Sequence, residues 1–325
     1  MGAPDPLRTA AERPRLGISA CLLGEEVRFD GGHKRDAFLT DVLGPQVEWV
    51  QVCPEVEVGM GTPRETLRLV RQDGRLRMLT TRTGLDHTEA MEAWAARRVD
   101  ELAREDLSGY VLKKDSPSCG MERVKVYGGS GMPARDGRGL FAEALMRRFP
   151  TLPVEEEGRL TDPRLRENFI ERVFAFRRLT RLFRGRWTMG QLVAFHTAHK
   201  MALLAHSRRG YDALGALVAR GSSAPRADLQ RQYATLFMDT LRIPATTRRH
   251  ANVLLHMAGH LKRRLDDASK RELLACIDEY RTGMVPLVVP LTLIRHYVRA
   301  FDVAYLAGQT YLEPHPRELR LRNHV

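Results

Sequence analysis

The densest concentration of reactive side chains is Lys113-Lys114-Asp115-Ser116-Pro117-Ser118-Cys119-Gly120, which sets two ammonium groups, a carboxylate, two hydroxyls and a thiol within eight residues. Two more cysteines stand in similar company: Cys21 follows Leu16-Gly17-Ile18-Ser19-Ala20, and Cys53 follows Val47-Glu48-Trp49-Val50-Gln51-Val52. The three are 32 and 66 residues apart, so they make no Cys-x-x-Cys knuckle of the kind a structural zinc uses. Three thiolates with no nearby fourth ligand suit a [4Fe–4S] cluster with one iron left open, a soft Lewis acid with an exchangeable position. On spacing alone the alternative stays open: three thiols packed as small buried hydrophobes. Cys276, within Arg271-Glu272-Leu273-Leu274-Ala275-Cys276-Ile277, reads as core.

Other groups in these stretches could serve the same chemistry. Glu55, two residues beyond Cys53, is a carboxylate placed to move protons to or from a water, and Ser116, three before Cys119, is a hydroxyl that could bind an oxyanion or relay a proton. A plain loop-capping hydrogen bond is the bland reading of such a serine. Lys113 and Lys114 could bind phosphate or offset negative charge, or simply be solvated. In the second half His256 and His260 share a helix face, and His196, His199 and His206 cluster. Without a carboxylate they argue for phosphate or base contact, or for satisfied core histidines, rather than a metal site.

Elements must carry these groups to one place. Leu16 to Ala20, Val47 to Val52 and Tyr110 to Leu112 read as buried strands, each delivering a cysteine at its carboxyl end, where open α/β sheets keep their chemistry. Residues 34–43 and Thr88 to Leu107 read as helices, the second ended by Ser108-Gly109; Arg68 to Thr81 reads as a hairpin around Asp73-Gly74. Val124 to Tyr127 is a further strand, Gly128 to Gly139 a glycine-rich turn, Leu140 to Phe149 a helix and Leu152 to Glu156 a last strand. The expected class is an α/β N-terminal domain with a mostly parallel sheet, followed by an all-α domain. From Arg164 onward the 3.6-residue period dominates, with breakers at Gly185, Gly210, Gly221, Pro244, Gly283 and Gly308. The expected division is a disordered lead-in over 1–14, a catalytic domain over 15–158 and a basic helical domain over 162–325.

Charge separates the halves. Residues 1–160 hold 24 Lys and Arg against 26 Asp and Glu, net −2; residues 161–325 hold 28 against 14, net +14, so the whole +12 comes from the second half. A mostly arginine surplus of that size predicts a polyanionic partner. The longest apolar run, Met284 to Ile294, is interrupted by Pro286 and Pro290, and no apolar leader opens the chain. A cytoplasmic protein without signal peptide, membrane span or disulfides is expected, with no obligate protein partner.

Cys21-Leu22-Leu23-Gly24 with Arg28-Phe29-Asp30-Gly31-Gly32, Cys53-Pro54-Glu55 with Gly61-Thr62-Pro63-Arg64, and Lys114 to Gly120 resemble the thiouracil desulfidase domain. Phe195-His196-x-x-His199-Lys200, Leu204-Ala205-His206-Ser207, Asn252-Val253-Leu254, His256-Met257 and Pro290 to Ile294 resemble the helical domain that accompanies it in bacterial tRNA 4-thiouridine desulfidases. The resemblance implies a [4Fe–4S] cluster held by Cys21, Cys53 and Cys119, with the thiocarbonyl sulfur on the open iron and the helical domain holding tRNA. It carries proton transfer over to Glu55 and Ser116. The mechanism expected here has Glu55 as acid/base, Ser116 as a hydrogen-bond donor to the substrate, and Asp30, Lys114 and Ser118 as contacts to base or phosphate. Phe29 departs from the tyrosine expected before Asp30, which removes any hydroxyl role there.

The resulting expectation is hydrolytic, non-redox removal of sulfur from a thiolated pyrimidine in RNA, 4-thiouridine to uridine in tRNA. The rivals are a desulfidase of free 2-thiouracil, a metal-stabilised nucleic-acid-binding protein without activity, and an electron-transfer protein. Three ligands in a polar pocket suit the last least.

Overall fold

The computed structural model describes residues 13–128 and 132–324. The predicted lead-in lies outside these except for its last two residues, as do three residues of the predicted glycine-rich turn. The chain divides into two compact units, with the boundary between Asp162 and Pro163.

The first unit is built on four parallel strands, β1 (Arg15–Ser19), β2 (Glu48–Val52), β5 (Leu107–Leu112) and β8 (Val154–Glu156), in the order β2-β1-β5-β8. β5 is buried at every residue, as an apolar run in a sheet covered on both faces must be. The chain passes from β1 to β2 on one side and later returns to set β5 on the other. This reversal opens a crevice at the carboxyl ends of β1 and β5. The short α1 (Pro54–Glu57) follows β2. Helices α2 (Thr88–Leu102) and α3 (Leu140–Arg148) pack together, with Phe141 meeting Trp94 and the Tyr110 ring of β5.

A second sheet has the order β4-β3-β6-β7, from β3 (Leu67–Gln72), β4 (Arg75–Thr80), β6 (Val124–Tyr127) and β7 (Ala134–Gly137). The β3–β4 hairpin turns at Asp73 and Gly74, with φ of 49° and 73°, as a two-residue hairpin turn requires. Four expectations are corrected here. The strand at 124–127 belongs to this second sheet, and part of the glycine-rich turn is β7. α2 ends at Leu102; residues 103–106 form turns that close on Asp106 with a left-handed φ of 52°, and Ser108 and Gly109 lie inside β5. The short helix expected over 34–43 is a π-helical turn, Phe38–Leu43.

The second unit is helical: α4 (Pro163–Phe183), α5 (Met189–Ala198), α6 (Lys200–His206), α7 (Arg208–Ala219), α8 (Arg226–Arg242), α9 (Thr247–Leu261), α10 (Asp267–Arg281), α11 (Val288–Ala300) and α12 (Ala304–Ala307). Thr188, Ser207, Thr246 and Asp266 cap α5, α7, α9 and α10 by accepting first-turn N–H groups. Leu254, Met257, Leu273, Ile277, Leu291 and Ile294 form part of its core. Gly210 breaks nothing; it lies within α7, where a Cβ would meet Thr240 Oγ1 of α8 at 2.4 Å, so the glycine lets two helices approach closely. Cys276 is only half-buried, one position off the Leu273/Ile277 face. No helix among the described residues is long and apolar enough to cross a membrane.

Candidate active site

Three of the four parallel strands deliver a cysteine to the same crevice. Cys21 sits in the 3₁₀ turn Ala20–Leu23 after β1, where its carbonyl accepts the Lys34 N–H at 2.8 Å. Cys53 closes β2 and precedes α1, its N–H donating to Glu57 Oε1 at 3.1 Å. Cys119 follows β5 in a loop organised by Ser116, whose Oγ accepts the N–H groups of Ser118 and Cys119 at 3.2 and 3.0 Å. All three line one cavity of ≈ 370 Å³.

The thiols are tuned alike. Burial pushes Cys21 up to about 11, against the pull of Lys113, and burial with the Glu55 charge pushes Cys53 up to about 11. Burial and Glu55 raise Cys119 as well, although the Ser19 hydroxyl donates toward its sulfur. On their own, such thiols stay protonated at neutral pH; a soft cation in their midst is what makes them thiolates. Among the described residues no three His, Cys, Asp or Glu side chains gather closely enough for a single metal ion. Cysteines spread around one cavity fit a polynuclear cluster, whose ligands reach different irons.

Among the charged groups of the lining the cations Arg28, Lys34, Arg64, Lys113 and Lys114 outnumber the acids Glu55, Glu65 and Asp115. Glu55 Oε2 lies 3.7 Å from Cys53 Sγ and 3.8 Å from Arg64 Nη2, and Arg64 is steadied by the Gly61 carbonyl at 2.9 Å. Arg28, Lys34, Lys113 and Lys114 complete the positive side. Lys113 is neutralised by Glu157, whose Oε2 accepts the Lys114 N–H at 2.8 Å. Next to it Glu156 accepts the Met121 N–H at 2.7 Å, and Glu155 accepts from Arg159 Nε at 2.6 Å. The acids at and after the end of β8 thus tie down both flanks of the Cys119 loop.

Cys21, Cys53, Cys119, Glu55, Ser116 and Lys114 therefore meet around one space. Asp30 and Ser118 are not among the residues lining it. Asp30 is half-exposed, accepts the Gly32 N–H at 3.1 Å and lies 3.5 Å from Arg28 Nε, so it acts on Arg28. Ser118 is fully buried, and its Oγ has no hydrogen bond among the described residues. Sequence reasoning assigned no role to Ser19, Arg28, Arg64 or the glutamate run. A lone hydroxyl at the end of an apolar strand, and three acids following another, were the signals available.

Fold and site define a class: a parallel α/β domain with a three-cysteine pocket at its topological switch point, followed by a helical unit. The family described as 2-thiouracil desulfurase matches residues 16–157, and a family described as a protein of unknown function, DUF1722, matches residues 200–316. The uncharacterized protein YbgA of Escherichia coli (strain K12) is 37% identical over 161 residues, 49% of this chain and 95% of that relative. The uncharacterized protein YbbK of Bacillus subtilis (strain 168) is 31% identical over 108 residues, 32% of this chain and 71% of that one. A solved structure described as a [4Fe-4S]-dependent thiouracil desulfidase, TudS, is 32% identical, covering 46% of this chain and 95% of its own, with a TM-score of 0.39. The chain belongs to the 2-thiouracil desulfurase family, with a DUF1722 region behind the matched domain.

Proposed function

We propose that the protein removes sulfur hydrolytically from a thiolated pyrimidine in RNA, converting 4-thiouridine to uridine in tRNA. The observation that carries the chemistry is the convergence of Cys21, Cys53 and Cys119 with Glu55 on one cavity. The three thiols fit a [4Fe–4S] cluster by number, softness and spread. When bound, such a cluster supplies a soft Lewis acid with one iron free of protein ligands, suited to a thiocarbonyl sulfur.

The chain's own residues supply the rest. Glu55 takes a proton from the attacking water, and Arg64 fixes the direction of its carboxylate. Ser116 accepts two backbone N–H groups, which leaves its O–H as a donor to the base. Arg28, Lys34 and Lys114 hold the anionic part of the substrate. The net conversion exchanges C=S and H₂O for C=O and H₂S, so no electrons are consumed.

The +14 of residues 161–325 supports RNA as the polyanion and the helical unit as its holder. The family's description favours a second reading, free thiouracil as substrate. Sulfide release by the iron-loaded full chain, measured on tRNA containing 4-thiouridine and on free thiouracil, separates them. A kcat/KM at least tenfold higher on tRNA supports the first reading, and turnover of the free base alone overturns it.

A further inference from the structure

The helical unit contains a cavity of its own, ≈ 430 Å³, within the range of about 300–1,000 Å³ typical of small-molecule sites. One wall is the start of α4, where Arg164, Glu167, Asn168 and Glu171 follow the i, i+3, i+4, i+7 spacing that places them on one face. His206 and the first turn of α9 stand among the other lining residues.

The buried end is rich in hydrogen-bond acceptors. Arg322 is shared between two carboxylates, its Nε 3.2 Å from Glu167 Oε1 and its Nη2 3.7 Å from Glu171 Oε1. The outer oxygens face imidazoles at a distance: Glu171 Oε2 is 3.5 Å from His206 Nε2, and Glu167 Oε2 is 3.7 Å from His324 Nε2. Of these four contacts, among the described residues, only Glu167–Arg322 is a hydrogen bond, and the buried His206 Nε2 makes none. An ionised carboxylate accepts about four hydrogen bonds, so this pair keeps unused acceptor capacity. The rim has the opposite character, with exposed Arg248 and the positive end of the 15-residue α9. A ligand that fits carries N–H donors at one end and a phosphate at the other.

We propose that this cavity holds a guanine nucleotide of the bound RNA, with Glu167 and Glu171 accepting from its base and the phosphate lying against Arg248 and the start of α9. Guanine is the one RNA base that presents two adjacent donor groups, N1–H and the N2 amino group, on its pairing edge, where proteins read unpaired bases. This inference rests on the reading of the helical unit as the RNA holder. Free GMP offers the same chemistry, so the test separates the two sources.

Calorimetric binding to the full chain would compare GMP, AMP, guanosine and inorganic phosphate, together with oligouridylates carrying no guanine or one. GMP is expected to bind about tenfold or more tighter than AMP or phosphate, and one guanine should tighten oligomer binding by a similar factor. Glu171→Gln should abolish the preference. Because that variant removes a buried charge and could fail to fold, the exposed Arg248→Ala provides the second arm: it should weaken GMP and leave guanosine unchanged. GMP no tighter than AMP or phosphate, or an inert Arg248→Ala, overturns the inference. A preference confined to free GMP overturns the assignment to an RNA residue. Oligomers that bind without regard to guanine overturn the inference and leave the RNA reading standing, whereas no oligomer binding at all removes both.

Discussion

Glu55 Oε2 lies 3.7 Å from the sulfur of Cys53, on the cavity that all three site cysteines share. A carboxylate this close to the Cys53 thiol and 3.8 Å from Arg64 Nη2 is placed to exchange a proton with a water in the cavity, as the proposed hydrolysis requires. Glu55→Gln keeps the shape and removes the base. It should retain the iron and acid-labile sulfide of the native protein and lose about 10²–10⁴-fold in kcat. Near-native turnover in the iron-loaded variant would transfer the role elsewhere.

Ser116 has a structural duty that its chemistry can be separated from. Its Oγ holds the Cys119 N–H at 3.0 Å, and its carbonyl holds the Gly120 N–H at 2.8 Å. Ser116→Ala should cost roughly 1–3 kcal/mol in urea unfolding, the range for leaving a buried donor without its partner. Ser116→Thr, which keeps the oxygen, should recover that stability. If Ser116→Ala is as stable as the native protein, Ser116 does not organise the loop.

What could be read from the sequence follows from where order is written locally. Buried parallel strands appear as apolar runs, so the arrival of Cys21, Cys53 and Cys119 at one sheet edge was legible, as was the helical period beyond residue 163. Side-chain direction in the loops was not. Asp30 and Ser118 sit in the right segments, yet local turns hold one outside the lining and bury the other. Pairings such as Lys113 with Glu157, 44 positions apart, leave no trace in periodicity. Nor does a left-handed residue such as Asp106, which lies in the turn between the end of α2 and β5.

Gly139 marks the close approach of α3 to the Cys119 loop. A Cβ there would fall 2.4 Å from the carbonyl carbon and oxygen of Ser118, and the Gly139 N–H already donates to the Gly120 carbonyl at 2.8 Å. Gly139→Ala must push the loop away at about 1–3 kcal/mol, the usual cost of overpacking. Reconstituted iron per chain should fall with it, while Gly128→Ala, where a Cβ meets nothing within 4 Å, serves as the control. Unchanged iron binding in Gly139→Ala would show that the loop tolerates displacement.

The histidines of the helical unit make its stability depend on pH. Burial lowers His199 and His250 from 6.5 to about 3 and His315 to about 4. A folded-state value below the unfolded one means that the unfolded chain binds more protons between about 6.5 and 3, so stability is present above 6.5 and is lost as pH falls through that window. Helical circular dichroism should therefore show a thermal midpoint that drops steadily from pH 7 to pH 4.5. A midpoint that stays level would mean that these rings are not held neutral.

Arginine and lysine outnumber acids two to one beyond residue 160, so RNA affinity there should come mainly from phosphate contacts that release counterions. The affinity of the full chain for tRNA should fall linearly on a log–log plot against salt. With six to ten phosphate contacts the loss is about 10³–10⁵-fold between 50 and 200 mM. Turnover of free thiouracil, which has no phosphates, should respond weakly over the same range. Equal salt sensitivity of the two would place the screened charges in the cysteine pocket instead, with Arg28, Lys34, Arg64 and Lys114 as the groups to neutralise first.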